Sequence, residues 1–116
     1  GKQVRDILFI DDLVKLFFLI SQKKRIKDRI YNVGGGKNNS ISILELKNIL
    51  EKKLKKKIKY KKYQWRQGDQ KIYISDISKI KKHTGWKPKV KINQGLDNVI
   101  KWIKHNEKNI KKALYV

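Results

Sequence analysis

One run near the start, Leu13-Val14-Lys15-Leu16-Phe17-Phe18-Leu19-Ile20, constrains this chain more than any other stretch. It reads as a helix capped by Asp11 or Asp12, because a side-chain oxygen there can accept an otherwise unpaired N–H of the first turn. The run is too apolar for an exposed element, so the helix is expected to pack deeply. Interrupted by Lys15, it is also far too short to cross a bilayer. No membrane partner is expected, and the acidic pair ahead of it argues against a secretory signal. The chain that must bury this helix has 116 residues, of which 39% are hydrophobic. That suits one modest α/β unit, and residues 1–116 are read as a single segment.

Periodicity supplies the remaining elements. Val4 to Ile10 reads as a strand with Arg5 held on regular backbone, and Ile30-Tyr31-Asn32-Val33 as a short strand entering Gly34-Gly35-Gly36. A strand that runs into glycines in this way resembles the edge of a ligand crevice in an α/β sheet. Lys23 to Arg29 is a basic surface turn. Ser42 and Glu45 form a capping-box pair before a helix whose inward stripe is Ile43, Leu46, Ile49, Leu50 and Leu54. Ile58 and Tyr60 alternate with lysines as in an exposed or edge strand. Ile72 and Ile74 mark another strand. Asp76 caps a helix that Gly85 ends and Pro88 keeps from resuming. Lys89 to Ile92 is extended, and Asn93 caps a last helix with Leu96, Val99, Ile100 and Ile103 inward, a stripe that Ile110 and Leu114 could continue. Four helices are too many for so small a sheet. Part of the sheet is therefore expected to belong elsewhere, with Val33 and the run around Leu13 to Ile20 suited to docking against a partner half.

The formal charge of +21 comes from 31 basic and 10 acidic residues. Such a field attracts polyanions. Yet 27 of the basic residues are lysine and only 4 are arginine, and directed contacts to phosphate and guanine favour arginine. The lysines are spread along every expected element, as a compositional bias would place them, so nucleic acid is not the expected partner. It remains the competing reading, motivated by Tyr60, Tyr63 and Trp65 interleaved with bases. There is no cysteine, which excludes disulfides and thiolate metal sites and fits a cytoplasmic location.

Two of the four arginines, Arg5 and Arg66, lie in unusual surroundings: Gly-Lys-Gln-Val-Arg-Asp and Trp-Arg-Gln-Gly-Asp-Gln. Two guanidinium forks converging on a diphosphate would neutralise it with directed, charge-assisted bonds. Alternatively, Arg5 pairs with Asp6 or Asp69 as a surface ion pair. Asp69 could orient Arg66 or accept a ribose or sugar hydroxyl, or else Gly68-Asp69 is simply a turn. Trp65 could cover a ligand ring or pack the loop, whereas Trp86 and Trp102 are expected to be structural. The glycines at 34 to 36 lack the spacing of a dinucleotide fingerprint, and no P-loop is present. His83 and His105 stand without a metal set. No residue makes a convincing nucleophile with its own base.

Taken in order, Gly1 to Leu13, Tyr31 to Gly36, Trp65 to Gln70, Ile74 to Lys79 and Gly85 to Pro88 resemble the C-terminal third of extended short-chain dehydrogenase/reductase proteins of the NAD-dependent epimerase/dehydratase family. The resemblance implies an α/β segment, the substrate-binding portion of a Rossmann-type fold, incomplete without the N-terminal half that binds NAD. It implies that Arg5 and Arg66 hold the diphosphate of a nucleotide sugar, that Asp69 lies beside the nucleotide, and that Gln3 helps line the crevice. The Gly-Asp-Gln form and the Asn-Val-Gly-Gly-Gly segment are most similar to members that act on CDP-linked dideoxy sugars. The family's NAD loop and catalytic Tyr-x-x-x-Lys set belong upstream of these motifs, in the same or another chain, so no catalytic residue is assigned and the isolated chain is expected to be inactive. The family's homodimers also form through upstream helices. A binding segment, a nucleic-acid module and a non-catalytic fragment are thus the readings to separate.

Overall fold

The computed structural model describes residues 1–23 and 30–114. Three short strands form one sheet in the order β2-β1-β3. In the centre, β1 (Val4–Asp6) pairs antiparallel with β2 (Ser40–Ser42), setting Arg5 opposite Ile41, and parallel with β3 (Ile72–Tyr73), setting Val4 opposite Ile72. Five α-helices are described: α1 (Ile10–Ser21), α2 (Ile43–Leu54), α3 (Ser78–Thr84), α4 (Ile92–His105) and α5 (Glu107–Leu114). No helix among the described residues is long and apolar enough to cross a membrane.

Several expectations hold. Ser42 and Glu45 close the capping box at the head of α2, with Glu45 N–H donating to Ser42 Oγ at 3.2 Å and Ser42 N–H to Glu45 Oε2 at 2.9 Å. Gly85 ends α3 in the left-handed conformation, φ 74°, while Asp76 Oδ1 accepts the Ser78 N–H at 2.9 Å from one residue ahead of the N-cap, which is Ile77 and not Asp76.

Others need correction. β1 stops at Asp6, and Phe9 stays extended before α1 begins at Ile10. Ile30 to Val33 join no strand ladder among the described residues. Ile58 to Tyr60 form none either, and the Ile58 N–H donates instead to Glu51 Oε1 at 2.8 Å. Asn93 lies inside α4, whose N-cap is Lys91 with no side-chain cap. Asn106 divides α4 from α5 as the C-cap of α4, its N–H keeping the helical bond to the Trp102 carbonyl and its side-chain amide donating to the same oxygen at 2.9 Å. Beyond Lys23, the basic turn lies outside the described residues.

Asp12 is the largest reassignment. It sits in the first turn of α1, only 1% exposed, and caps nothing there. Its Oδ2 accepts the backbone N–H groups of Lys89 and Val90, both at 2.8 Å, and its carbonyl accepts the Trp86 indole N–H at 3.0 Å. Beside it Leu16, Ile80 and Trp86 form the buried core, flanked by Leu8, Leu19, Ile20, Tyr31, Val33 and Ile77. Only one side of α1 enters this core. Ile10, Val14, Phe17 and Phe18 form a stripe at helical spacing that is 59%, 41%, 61% and 65% exposed. The deep packing expected of α1 is therefore half realised.

Candidate functional site

Strand parity separates the side chains around β1, with Gln3 and Arg5 on one face and Val4 and Asp6 on the other. On the first face Arg5 Nη2 donates to Asp69 Oδ1 at 3.0 Å and Gln3 Nε2 donates to Asp69 Oδ2 at 3.3 Å. Arg5 Nη1 is spent on the Val4 carbonyl at 2.8 Å. Both carboxylate oxygens of Asp69 are thus fastened to residues at β1, and the ion pair that the sequence left open between Asp6 and Asp69 goes to Asp69.

The turn that brings Asp69 there also carries Arg66. Asp69 N–H donates to the Arg66 carbonyl at 3.2 Å, and Gly68 between them has φ 81°, which a side chain would strain. The Trp65 indole N–H donates to the Asp69 carbonyl at 3.2 Å, so Trp65 clamps the same turn.

Gln3, Arg66 and Asp69 line one cleft of about 640 Å³ together with Lys47, Tyr60 and Trp65. Arg5 is not among the lining residues and reaches the cleft through Asp69. The opposite wall is anchored to α2. Glu51 accepts the Ile58 N–H and pairs with Lys47 at 3.0 Å, and the Lys47 ammonium lies 5.1 Å from the centre of the Tyr60 ring. The Ile58 N–H, and after it Lys47, hold the Glu51 carboxyl below the usual glutamate range. Cations, exposed aromatic rings and one carboxylate suit a ligand with an anionic centre and a planar ring. Among the described residues, the cleft offers no nucleophile paired with a base.

The second face of β1 is structural. Asp6 Oδ2 accepts the N–H groups of Gly36 at 2.9 Å and Ser75 at 3.2 Å. Burial pushes the Asp6 pKa up, but these donors and the Ser75 hydroxyl outweigh it and hold the carboxyl below its ordinary value. The glycine run is read differently once this is seen. A methyl group on Gly35 would stand 2.7 Å from the Ile7 carbonyl carbon, so glycine permits backbone to lie against backbone. Gly34 to Gly36 lead into a 3-10 turn, Lys37–Asn39, and then β2. No helix N-terminus stands there to receive a pyrophosphate, so these residues do not fit NAD.

Reading the sequence missed Asp6 as a structural acceptor and the tie from Glu51 to the cleft wall. Only the parity of Arg5 and Asp6 hinted at the first. The second depends on a contact between α2 and a segment whose alternation suggested a strand. Trp86 is buried as expected, whereas Trp102 is 60% exposed and packs less than its place in a helix suggested.

A family model described as GDP-mannose 4,6 dehydratase matches residues 1–99. The CDP-paratose 2-epimerase of Salmonella typhi is 34% identical over 103 residues, covering 88% of this chain and 30% of that protein. The UDP-glucuronate 4-epimerase of Thermodesulfobacterium geofontis is 39% identical over 111 residues, covering 96% and 33%. In structure, the UDP-glucuronic acid 4-epimerase of Bacillus cereus, in complex with UDP-glucuronic acid and NAD, matches with a TM-score of 0.78 at 28% identity, over 90% of this chain and 33% of that one. The chain thus spans about a third of the length of the relatives it matches.

Proposed function

The chain belongs to the GDP-mannose 4,6 dehydratase family of NAD-dependent epimerases and dehydratases, and from that premise we propose that it supplies the site for the nucleoside diphosphate of a nucleotide sugar. The observation that carries the reading is the joining of Gln3, Arg5 and Asp69 on one side of a cleft that Arg66 also lines. Arg66 presents a guanidinium from the turn, and Arg5 turns its Nη2 from Asp69 toward the second phosphate. The aromatic residues of the cleft then stand beside the base, and the Asp69 oxygen that Arg5 leaves is open to the ribose, while Gln3 keeps the other. Holding the remote nucleotide fixes the sugar for a reaction that occurs elsewhere.

The hydride transfer that such enzymes need would be supplied by NAD, for which the described residues of this chain offer no seat. In this reading NAD is held by a polypeptide corresponding to the other two thirds of the relatives, in the same or another chain. The exposed stripe of Ile10, Val14, Phe17 and Phe18 supplies an apolar seat for that half. The 116-residue chain alone turns over no nucleotide sugar. Its similarity to a CDP-paratose 2-epimerase makes a CDP-linked sugar the narrower expectation.

Titration with CDP, UDP and a short oligonucleotide at two salt concentrations tests the assignment. Saturable binding of a nucleoside diphosphate should persist at the higher salt and weaken by at least about 1.5 kcal/mol in Arg66→Ala, the low end for a bond to a charged group. Binding of the oligonucleotide alone, lost at the higher salt, would instead favour diffuse electrostatics around Tyr60, Tyr63 and Trp65.

A further inference from the structure

Gln3 stands out among the cleft residues because its carboxamide is only half used. Nε2 donates to Asp69 Oδ2 at 3.3 Å, while Oε1 is buried with no hydrogen-bond partner. Buried acceptors are normally satisfied, and an orphan of this kind counts against the folded state. A residue retained for stability alone would be better replaced by an apolar side chain of similar size. What Gln3 does accomplish is specific. With Arg5 Nη2 on Oδ1 and Gln3 Nε2 on Oδ2, the Asp69 carboxylate is gripped at both oxygens. Through the Asp69 N–H on the Arg66 carbonyl and the Trp65 indole on the Asp69 carbonyl, that grip sets where the Arg66 turn lies.

We propose that Gln3 is a positioning residue, whose amide fixes Asp69 between β1 and the 65–69 turn and so sets the spacing of the Arg5 and Arg66 guanidinium groups. Its effect on ligand affinity rests on the nucleoside-diphosphate reading of the cleft, but its effect on the turn does not. When a diphosphate draws Arg5 away from Asp69, the Gln3 amide is the bond that keeps the carboxylate, and with it Arg66, from swinging out. Gln3 acts through Asp69 and needs no contact of its own with the ligand.

Gln3→Met removes the donor and the orphan acceptor together at similar volume. In the ligand-free chain the Trp65 indole N–H should exchange roughly threefold faster or more, as local opening of the turn becomes easier. The melting temperature should stay level or rise. CDP affinity should fall roughly fivefold, and a double-mutant cycle should show that Gln3→Met adds nothing once Asp69→Asn is present. Unchanged Trp65 exchange overturns the proposal whether or not the chain binds CDP. A lowered melting temperature with the turn intact makes Gln3 a packing residue. A full affinity loss from Gln3→Met in the Asp69→Asn background makes it a direct ligand contact. Absence of CDP binding in the unaltered chain sinks the nucleotide reading alone, because the exchange measurement still decides the role of Gln3.

Discussion

Asp12 and Asp69 each hold two donors, and their settings divide the molecule into a joint and a cleft. Asp12 is almost fully buried, and its donors are backbone N–H groups of residues 89 and 90, which have no other use. The side chain of Asp69 is 30% exposed, and its donors are the side-chain ends of Arg5 and Gln3. A carboxylate that satisfies buried backbone is committed to the fold, since removing it strands polar groups away from water. One that holds side chains at a cleft can release them to a competing anion. Asp6 belongs to the joint, with the Gly36 and Ser75 N–H groups on one oxygen. The same residue type is therefore committed to the fold or left displaceable according to what donates to it.

The largest effect that would break this contrast is Asp12→Ala. Stranding the Lys89 and Val90 N–H groups should cost about 3 kcal/mol, read from urea unfolding. A loss within about 0.5 kcal/mol would mean that the joint is no more committed than the cleft.

Next is Asp6→Asn, at about 1.5 kcal/mol near neutral pH. The sign of its pH dependence follows from the lowered Asp6 pKa. Its stabilisation is fully present above the ordinary value of 3.8 and is lost as pH falls through the depressed one. The gap between variant and unaltered chain should accordingly close on acidification in melts taken at several pH values. A constant gap would mean that the negative charge is irrelevant there.

Smallest is Phe18→Ser on the exposed stripe of α1, which should alter the stability of the isolated chain by no more than about 0.5 kcal/mol in the same unfolding assay. A substantial loss would show that this face is already packed within the chain. A null result beside a large Asp12→Ala effect would sharpen the division of α1 into a committed side and an open one.

Much of this was legible in local chemistry. Ser42 with Glu45, Asp76 and Gly85 act within a few residues of themselves, where spacing alone decides the bond. The resemblance put Gln3, Arg5, Arg66 and Asp69 at one crevice; Gln3, Arg66 and Asp69 do line one cleft, while Arg5 takes the alternative the sequence left open, an ion pair with Asp69. The sequence misled where an apolar pattern was read as a strand. Ile30 to Val33 and Ile58 to Tyr60 have the right residues, but a ladder also needs a partner strand brought alongside in register, and pattern cannot say whether the fold brings one.

By itself the sequence determined the capping box that starts α2, the glycine that stops α3 and the absence of a disulfide framework, because all of these depend on residue type and short spacing. Only the tertiary structure decided that Asp12 reaches residues 89 and 90, that Asp69 takes both Arg5 and Gln3, and that one side of α1 stays exposed. These depend on groups far apart in the chain. Whether a carboxylate meets backbone or a guanidinium, and whether an apolar stripe meets a core, is fixed by which distant segment packs beside it.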